Sequence, residues 1–389
     1  MIDAKYAVYG IVLALVPLNL IAQTVTSTVT DPGSRAALAR DSGHTLEAIA
    51  LFREALQEKP AWVEGWWDLG RLLYQSRQLD DARESFQRVV SLDPNHVPSW
   101  TMLGLCEYEL QDYQNALEHL QRARSLGHFP SQQLEFAAHY TTGLLMIHYG
   151  QFEAAGIVLF PLGNSAAADK AFRDTMRRSN VTIEDLTAAL GLIVLRLSRF
   201  PSEIQDSEMA IVQTAGRAGL LLGEGDLPKA RDAFRELVAQ YPTQPNVHYA
   251  MGISLQQTDP EDALKEFRQE LEISPNHVAA MLNIAVIDHS QGSDSLAEPW
   301  AEHAAELDPQ SYPAHFLLGR ILLELNKLDE AIIHLERAAQ LVPEAKDTYY
   351  VLSRAYSGAG RSAEATRARL EFKRLEESEK ASQSTANPH

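Results

Sequence analysis

Segments that follow the prolines of this 389-residue chain repeat at a spacing of 34 residues, and once of 33. A period in that range means that each unit is one supersecondary element whose apolar face is buried only by stacking on its neighbours. The register is set by an alanine followed four residues later by a bulky side chain, seven later by an apolar or small one, and twelve later by proline. Ala48, Phe52, Ala55 and Pro60 form the first set, Ala82, Phe86, Val89 and Pro94 the second, and Ala116, Leu120 and Ala123 the third, with His128 in the proline place. The pattern returns at Ala230, Phe234, Leu237 and Pro242, then at Ala263, Phe267 and Pro275 with a deviant Glu270. Two further sets are Ala297, Ala301, Ala304, Pro309 and Ala331, Leu335, Ala338, Pro343, and a degenerate last copy carries Ala365 and Phe372.

About twelve residues before each alanine lies a small residue with large apolar neighbours: Trp66-Leu69-Gly70, Trp100-Leu103-Gly104, Met251-Gly252, Met281-Ile284-Ala285 and Leu318-Gly319. Spacing of i, i+3 and i+4 marks the packed face of a helix. Each repeat therefore holds two helices, the glycine or alanine letting the second approach the first, with the alanine of the second helix on the other side of that contact. Alanine, leucine, glutamate, glutamine and arginine predominate, and β-branched runs bounded by glycine or proline are scarce, so the fold class is all-α.

These residues resemble the tetratricopeptide repeat family, whose pattern sets tryptophan, leucine, glycine, tyrosine, alanine, phenylalanine, alanine and proline at fixed positions. Segment 63–94 fits best, with Trp66, Leu69, Gly70, Ala82, Phe86 and Pro94 in place and Val89 at the later alanine position. The resemblance implies antiparallel helix hairpins stacked into a right-handed superhelical solenoid, each repeat touching mainly its neighbours, with the first helices lining a concave groove.

Between the regular stretches the register fails. A hairpin over 136–162 keeps Gly143, Gly150, Ala155 and Leu159, but Pro161 is expected to end its second helix early. Segment 163–210 lacks the signature and reads as a divergent repeat, with Thr182 and Asp185 placed as a capping box before an apolar helix. Asp259-Pro260 suits a helix start, whereas Pro299 lies deeper and is expected to kink or shorten its helix. The expected organisation is an export signal or anchor over 1–22, a linker over 23–33, about three repeats over 34–128, a divergent helical region over 129–210, about five repeats over 211–374, and a disordered tail over 375–389.

Residues 6–22 are uncharged and apolar, preceded by Lys5 and followed by Gln23-Thr24. As a helix the run falls short of the roughly 30 Å hydrocarbon core and is broken by Pro17, which favours a cleaved signal over a retained inner-membrane tether. Either reading places the helical body outside the cytoplasm, periplasmic or secreted. A formal charge of −18 with no basic stripe opposes nucleic acid as a partner. Cys106 is the single cysteine, which excludes an intramolecular disulfide.

With the fourth, seventh, eighth and eleventh positions of each first helix facing the core, the fifth, ninth and twelfth share another face. That face carries Trp67, Tyr140, Tyr249, Phe316 and Tyr350 at the fifth position, Arg71, Arg320 and Arg354 at the ninth, and Tyr74 and Tyr108 at the twelfth. Rings and guanidinium groups in such a stripe suit the burial of a partner's side chains and the satisfaction of its backbone, so the candidate site is a peptide-binding groove. The lysine and asparagine clamp that some family members close on chaperone C-termini is missing: the matching positions hold Trp67, Arg71, Thr101, Leu105 and Tyr140. His139 and His148 are nine apart and His289 and His303 fourteen, so neither pair has metal-ligand spacing on one helical face, and His248 and His315, at the fourth position, read as packing residues. No catalytic constellation and no cofactor motif is found. The expected function is a non-catalytic scaffold for protein or peptide partners, with a membrane-anchored assembly or secretion component, or an accessory subunit of an envelope enzyme, as alternatives; the oligomeric state is left open.

Overall fold

The computed structural model describes residues 31–386, apart from the side chains of residues 167–168 and 381–386. The apolar run 6–22, and with it the expected signal or anchor, lies outside the described residues, as does most of the expected linker. Every regular element is helical: α1 (Pro32–Asp41), α2 (Thr45–Glu58), α3 (Val63–Gln75), α4 (Leu79–Leu92), α5 (Val97–Glu109), α6 (Tyr113–Leu126), α7 (Gln132–His148), α8 (Phe152–Ala168), α9 (Lys170–Arg178), α10 (Ile183–Val194), α11 (Asp206–Gly223), α12 (Leu227–Gln240), α13 (Val247–Leu255), α14 (Pro260–Ile273), α15 (Val278–Ser290), α16 (Asp294–Leu307), α17 (Tyr312–Glu324), α18 (Leu328–Leu341), α19 (Lys346–Gly358) and α20 (Ser362–Ala386). The chain divides into two compact units, up to Ala233 and from Phe234 onward.

In the first unit α1 pairs with α2, α3 with α4, α5 with α6 and α7 with α8, and each hairpin packs on the next through its second helix. In the second unit α13 pairs with α14, α15 with α16, α17 with α18 and α19 with α20 in the same manner. The repeating glycine explains why. A Cβ on Gly70 would lie 2.7 Å from the Phe86 ring, and one on Gly252 2.5 Å from Phe267. Leucine takes the ring's place opposite Gly104, Gly143 and Gly319, where the corresponding distances to Leu120, Leu159 and Leu335 are 2.6, 2.4 and 2.5 Å. The knob facing each glycine is thus the bulky residue four after the alanine, and at Gly104 and Gly319 the alanine's carbonyl oxygen, of Ala116 and Ala331, lies beside it at 3.1 and 3.3 Å. Phe86, Leu120, Leu159, Phe267 and Leu335 are all sealed from solvent.

A second recurring bond ties four of the first helices to the chain that precedes them. The indole N–H of Trp66 donates to the Pro60 carbonyl at 2.9 Å, and that of Trp100 to Pro94 at 2.9 Å. Where histidine replaces tryptophan the bond survives: His248 Nε2 lies 3.0 Å from the Pro242 carbonyl and His315 Nε2 3.3 Å from that of Pro309. His248 and His315 are therefore packing groups with a defined polar partner.

Three expectations change. Pro161 does not end α8, which runs through it to Ala168. Pro161 faces solvent, and so does Ile157, four residues back, whose carbonyl water can satisfy in place of the missing N–H. Pro299, likewise exposed, sits inside a full-length α16. Residues 375–386 continue α20, anchored by the buried Ala365, Ala368 and Leu375.

In the divergent region α9 packs on α7 and α8, and α10 pairs with α11 and rests on α8. The Thr182–Asp185 capping box is formed, with both reciprocal bonds present. The α10–α11 pair replaces knob and glycine by two glycines facing backbone: a Cβ on Gly191 would stand 2.0 Å from the Val212 carbonyl oxygen, and one on Gly216 1.9 Å from that of Thr187.

Candidate functional site

The fifth-position rings of the first helices rest on the glycine-held hairpin beneath them. In α3 the half-buried Trp67 lies 5.5 Å from Phe86, the knob facing Gly70, and 5.3 Å from His96. His96 precedes α5 and accepts the Ser99 N–H, so it is the N-cap of the next repeat's first helix. The second unit repeats the arrangement: Tyr249 of α13 lies 5.8 Å from Phe267 and 4.7 Å from His277, the N-cap of α15. Sequence reasoning missed both histidines; the signal was their place immediately before a first helix, where a side-chain acceptor is needed.

Ninth-position arginines cover the rings one turn earlier. The Arg71 guanidinium stands 5.8 Å from the Trp67 ring centre, and Arg320 stands 5.7 Å from that of Phe316, within cation–π range. Phe316 also stacks on Tyr312 at 5.5 Å. Tyr350 is 52% exposed and contacts Phe372 at 5.8 Å, while Arg354 reaches Glu324 at 3.1 Å instead of its ring. In each unit, these side chains present apolar faces with a cation above them.

The remaining three residues are withdrawn from such a surface. Tyr74 is 7% exposed and donates to Glu109, which Arg77 also holds; burial first, then the Glu109 charge, pushes its phenol well above the usual range. Tyr140 is 3% exposed and stacks on Phe136 at 5.6 Å, and Phe172 of α9 meets Phe136 edge-on at 5.6 Å. Tyr108 packs 5.8 Å from Tyr113 and 5.7 Å from Phe200 of the segment leading into α11, and Phe200 stacks on His148 at 4.6 Å. In the first unit the divergent stretch thus covers the aromatic face of α5 and α7, leaving Trp67 and Arg71 as the reachable pair.

Models of the tetratricopeptide repeat match residues 34–97, 67–132 and 254–312, with further matches at 312–345 and 217–243, together more than half of the chain. The chain belongs to the tetratricopeptide repeat family. A curated relative, anaphase-promoting complex subunit 3 of Schizosaccharomyces pombe, is 23% identical over 129 residues, which is 33% of this chain and 19% of that protein. The match therefore spans about a fifth of the relative's length. Among solved structures, MamA from Desulfovibrio magneticus aligns at a TM-score of 0.41 and 22% identity, over 43% of this chain and 96% of that one. YrrB, a tetratricopeptide protein with an unusual peptide-binding site, aligns at 0.39 and 19% identity, over 44% and 88%.

Among the described residues of this tetratricopeptide chain no group of three histidines, cysteines or carboxylates is placed to hold a metal ion, and no helix is long and apolar enough to cross a membrane. Cys106 is sealed in the core, where burial pushes its thiol well above the ordinary range. On the repeat scaffold His315 and His334 approach to 3.0 Å between their Nδ1 atoms, and burial lowers both from the usual imidazole value. The folded state then favours neutral rings, so their full contribution is present above about pH 6.5 and is lost as the pH falls below it. Replacing His334→Gln is expected to flatten the acid side of the stability profile, read as the unfolding temperature of variant and wild type between about pH 7 and 5.

Proposed function

We propose that this tetratricopeptide chain is a non-catalytic scaffold that binds extended or helical segments of other polypeptides through the fifth- and ninth-position side chains of its first helices. The observation that carries the reading is the recurrence in both units of a reachable ring under an arginine, Trp67 with Arg71 and Phe316 with Arg320. Rigid rings bury partner side chains at small entropic cost, and the guanidinium supplies donors for carbonyls or carboxylates. Trp67, Arg71, Tyr249, Phe316, Arg320, Tyr350 and Arg354 are the residues assigned to binding.

The test is a pull-down from cell extract with wild type and the triple variant Trp67→Ala, Tyr249→Ala, Phe316→Ala. Partners retained by wild type are expected to be lost at least about tenfold in the variant, with helicity unchanged by circular dichroism. An unchanged partner set on a folded variant overturns the assignment. We further propose export of the scaffold, supported by the uncharged run 6–22 behind Lys5. Sequencing the N-terminus of protein recovered from soluble and membrane fractions decides between a cleaved signal and an envelope-anchored assembly component: a start near Gln23 supports the first, an intact Met1 in the membrane the second.

A further inference from the structure

Three acids are buried among the described residues: Glu107, Glu270 and Asp288. Two are satisfied within the chain. Glu107 of α5 meets His119 Nδ1 at 2.6 Å. Glu270 of α14 accepts from the Asn246 N–H at 2.9 Å, the Tyr249 N–H at 3.2 Å and the Ser274 hydroxyl at 2.9 Å, capping the start of α13. Asp288 of α15 differs. It is 3% exposed, yet its Oδ2 has no hydrogen-bond partner among the described residues. A buried acceptor left in that state costs stability unless something else supplies the donor.

The repeat shows how the vacancy arises. Asp288 occupies the same eleventh position of its helix as Glu107, and Trp300 of α16 occupies the position that His119 holds in α6. The shorter acid and the absent imidazole leave an open surface pocket of about 330 Å³, with Asp288 buried at its base and Arg268, Leu296, Pro299 and His303 exposed around it, within the size range of pockets that hold small organic ligands. Its lining is Arg268 of α14, Asp288, and Leu296, Pro299, Trp300 and His303, which share one face of α16 at i, i+3, i+4 and i+7. Arg268 is exposed and forms no ion pair with Asp288, so two opposite charges face one apolar pocket without neutralising each other directly. Burial pushes the Asp288 carboxyl up from its ordinary value while the Arg268 charge pulls the other way, so a cationic donor placed there would favour the ionised form.

We propose that this pocket binds a small zwitterion of the free α-amino acid type, its ammonium donating to Asp288, its carboxylate accepting from Arg268, and its apolar side chain lying against Leu296, Pro299 and Trp300. A charge-assisted bond to a desolvated carboxylate is the strongest contact available to such a ligand, and the guanidinium fork matches a carboxylate. Two charges of opposite sign select against ligands that carry only one. The proposal is independent of the groove reading, since none of the residues that line this pocket is among those assigned to the groove.

The experiment is isothermal titration of the full chain with L-phenylalanine and L-leucine, beside phenethylamine and hydrocinnamate, which each lack one charge. One of the two amino acids is expected to bind at one site, with both single-charge analogues weaker by about tenfold or more. Asp288→Asn is expected to weaken binding about tenfold or more without lowering the unfolding temperature, because it removes an unpaired buried charge. Arg268→Gln, a surface change, should weaken binding as well, and Trp300→His, which restores the imidazole seen at His119, should abolish it. The proposal is overturned if neither amino acid binds, if phenethylamine binds as tightly as phenylalanine, or if Asp288→Asn or Arg268→Gln, each confirmed folded, binds like wild type.

Discussion

Gly216→Ala is expected to destabilise the first unit by about 3 kcal/mol, the upper part of the range for overpacked cores. A methyl group there would sit 1.9 Å from the Thr187 carbonyl oxygen, far inside van der Waals contact. Backbone cannot rotate aside as a side chain does, so α10 and α11 must separate, and the apolar burial between them is lost with the separation. Ala215 and Val212 on α11 and Leu186 and Leu190 on α10 are each fully buried, which makes that separation costly. Gly219→Ala is the internal control. Its methyl would meet side chains and no backbone, Val194 at 3.0 Å and Phe160 at 3.4 Å, and these can give way by a small shift. Urea unfolding followed by circular dichroism should show a large drop in midpoint for Gly216→Ala and a small one for Gly219→Ala; equal midpoints would show that α10 and α11 are not held at backbone contact.

Phe267→Ala is expected to cost the second unit about 3–5 kcal/mol, the usual range for emptying a sealed aromatic site. Phe267 is entirely buried, and it fills the depression over Gly252 while supporting Tyr249 at 5.8 Å. Phe267→Leu is expected to be much milder, because leucine already faces glycine at Gly104, Gly143 and Gly319. Thermal unfolding of both variants checks this, and a leucine variant as unstable as the alanine one would mean that ring shape rather than volume holds the hairpin. Loss of the ring also removes the floor beneath Tyr249, so Phe267→Ala should weaken partner binding at that repeat.

The parts of the fold legible in the sequence are those in which one residue type answers one steric need. Gly70 against Phe86 is such a case, since only a missing Cβ admits the ring. The Asp259 cap with Pro260 behind it is another, and it forms as read. What escaped depends on direction rather than on residue type. Whether proline breaks a helix turns on which side its missing N–H lies, and Pro161 and Pro299 both face water. The pairing of α10 with α11 rests on two backbones meeting at Gly191 and Gly216, and a lone glycine in an apolar run does not announce its opposite number. For the candidate site, helical position alone predicted a common face but could not tell that Phe172 and Phe200 would come from the irregular stretch to pack on Phe136 and Tyr108. Asp288 was visible as an acid at a core-facing position, yet its pocket depends on Trp300 standing where α6 has histidine.

The glycine and the knob that fills it always belong to the same hairpin: 70 with 86, 104 with 120, 143 with 159, 252 with 267 and 319 with 335. A stretch of the gene encoding one such hairpin therefore carries its own complementarity. It can be copied or lost whole without parting a glycine from its knob, and each copy is free to trade phenylalanine for leucine on its own account. The α10–α11 pair, whose match is written in backbone, offers no such freedom: it has no side chain to exchange, so drift there is confined to residues away from the two glycines.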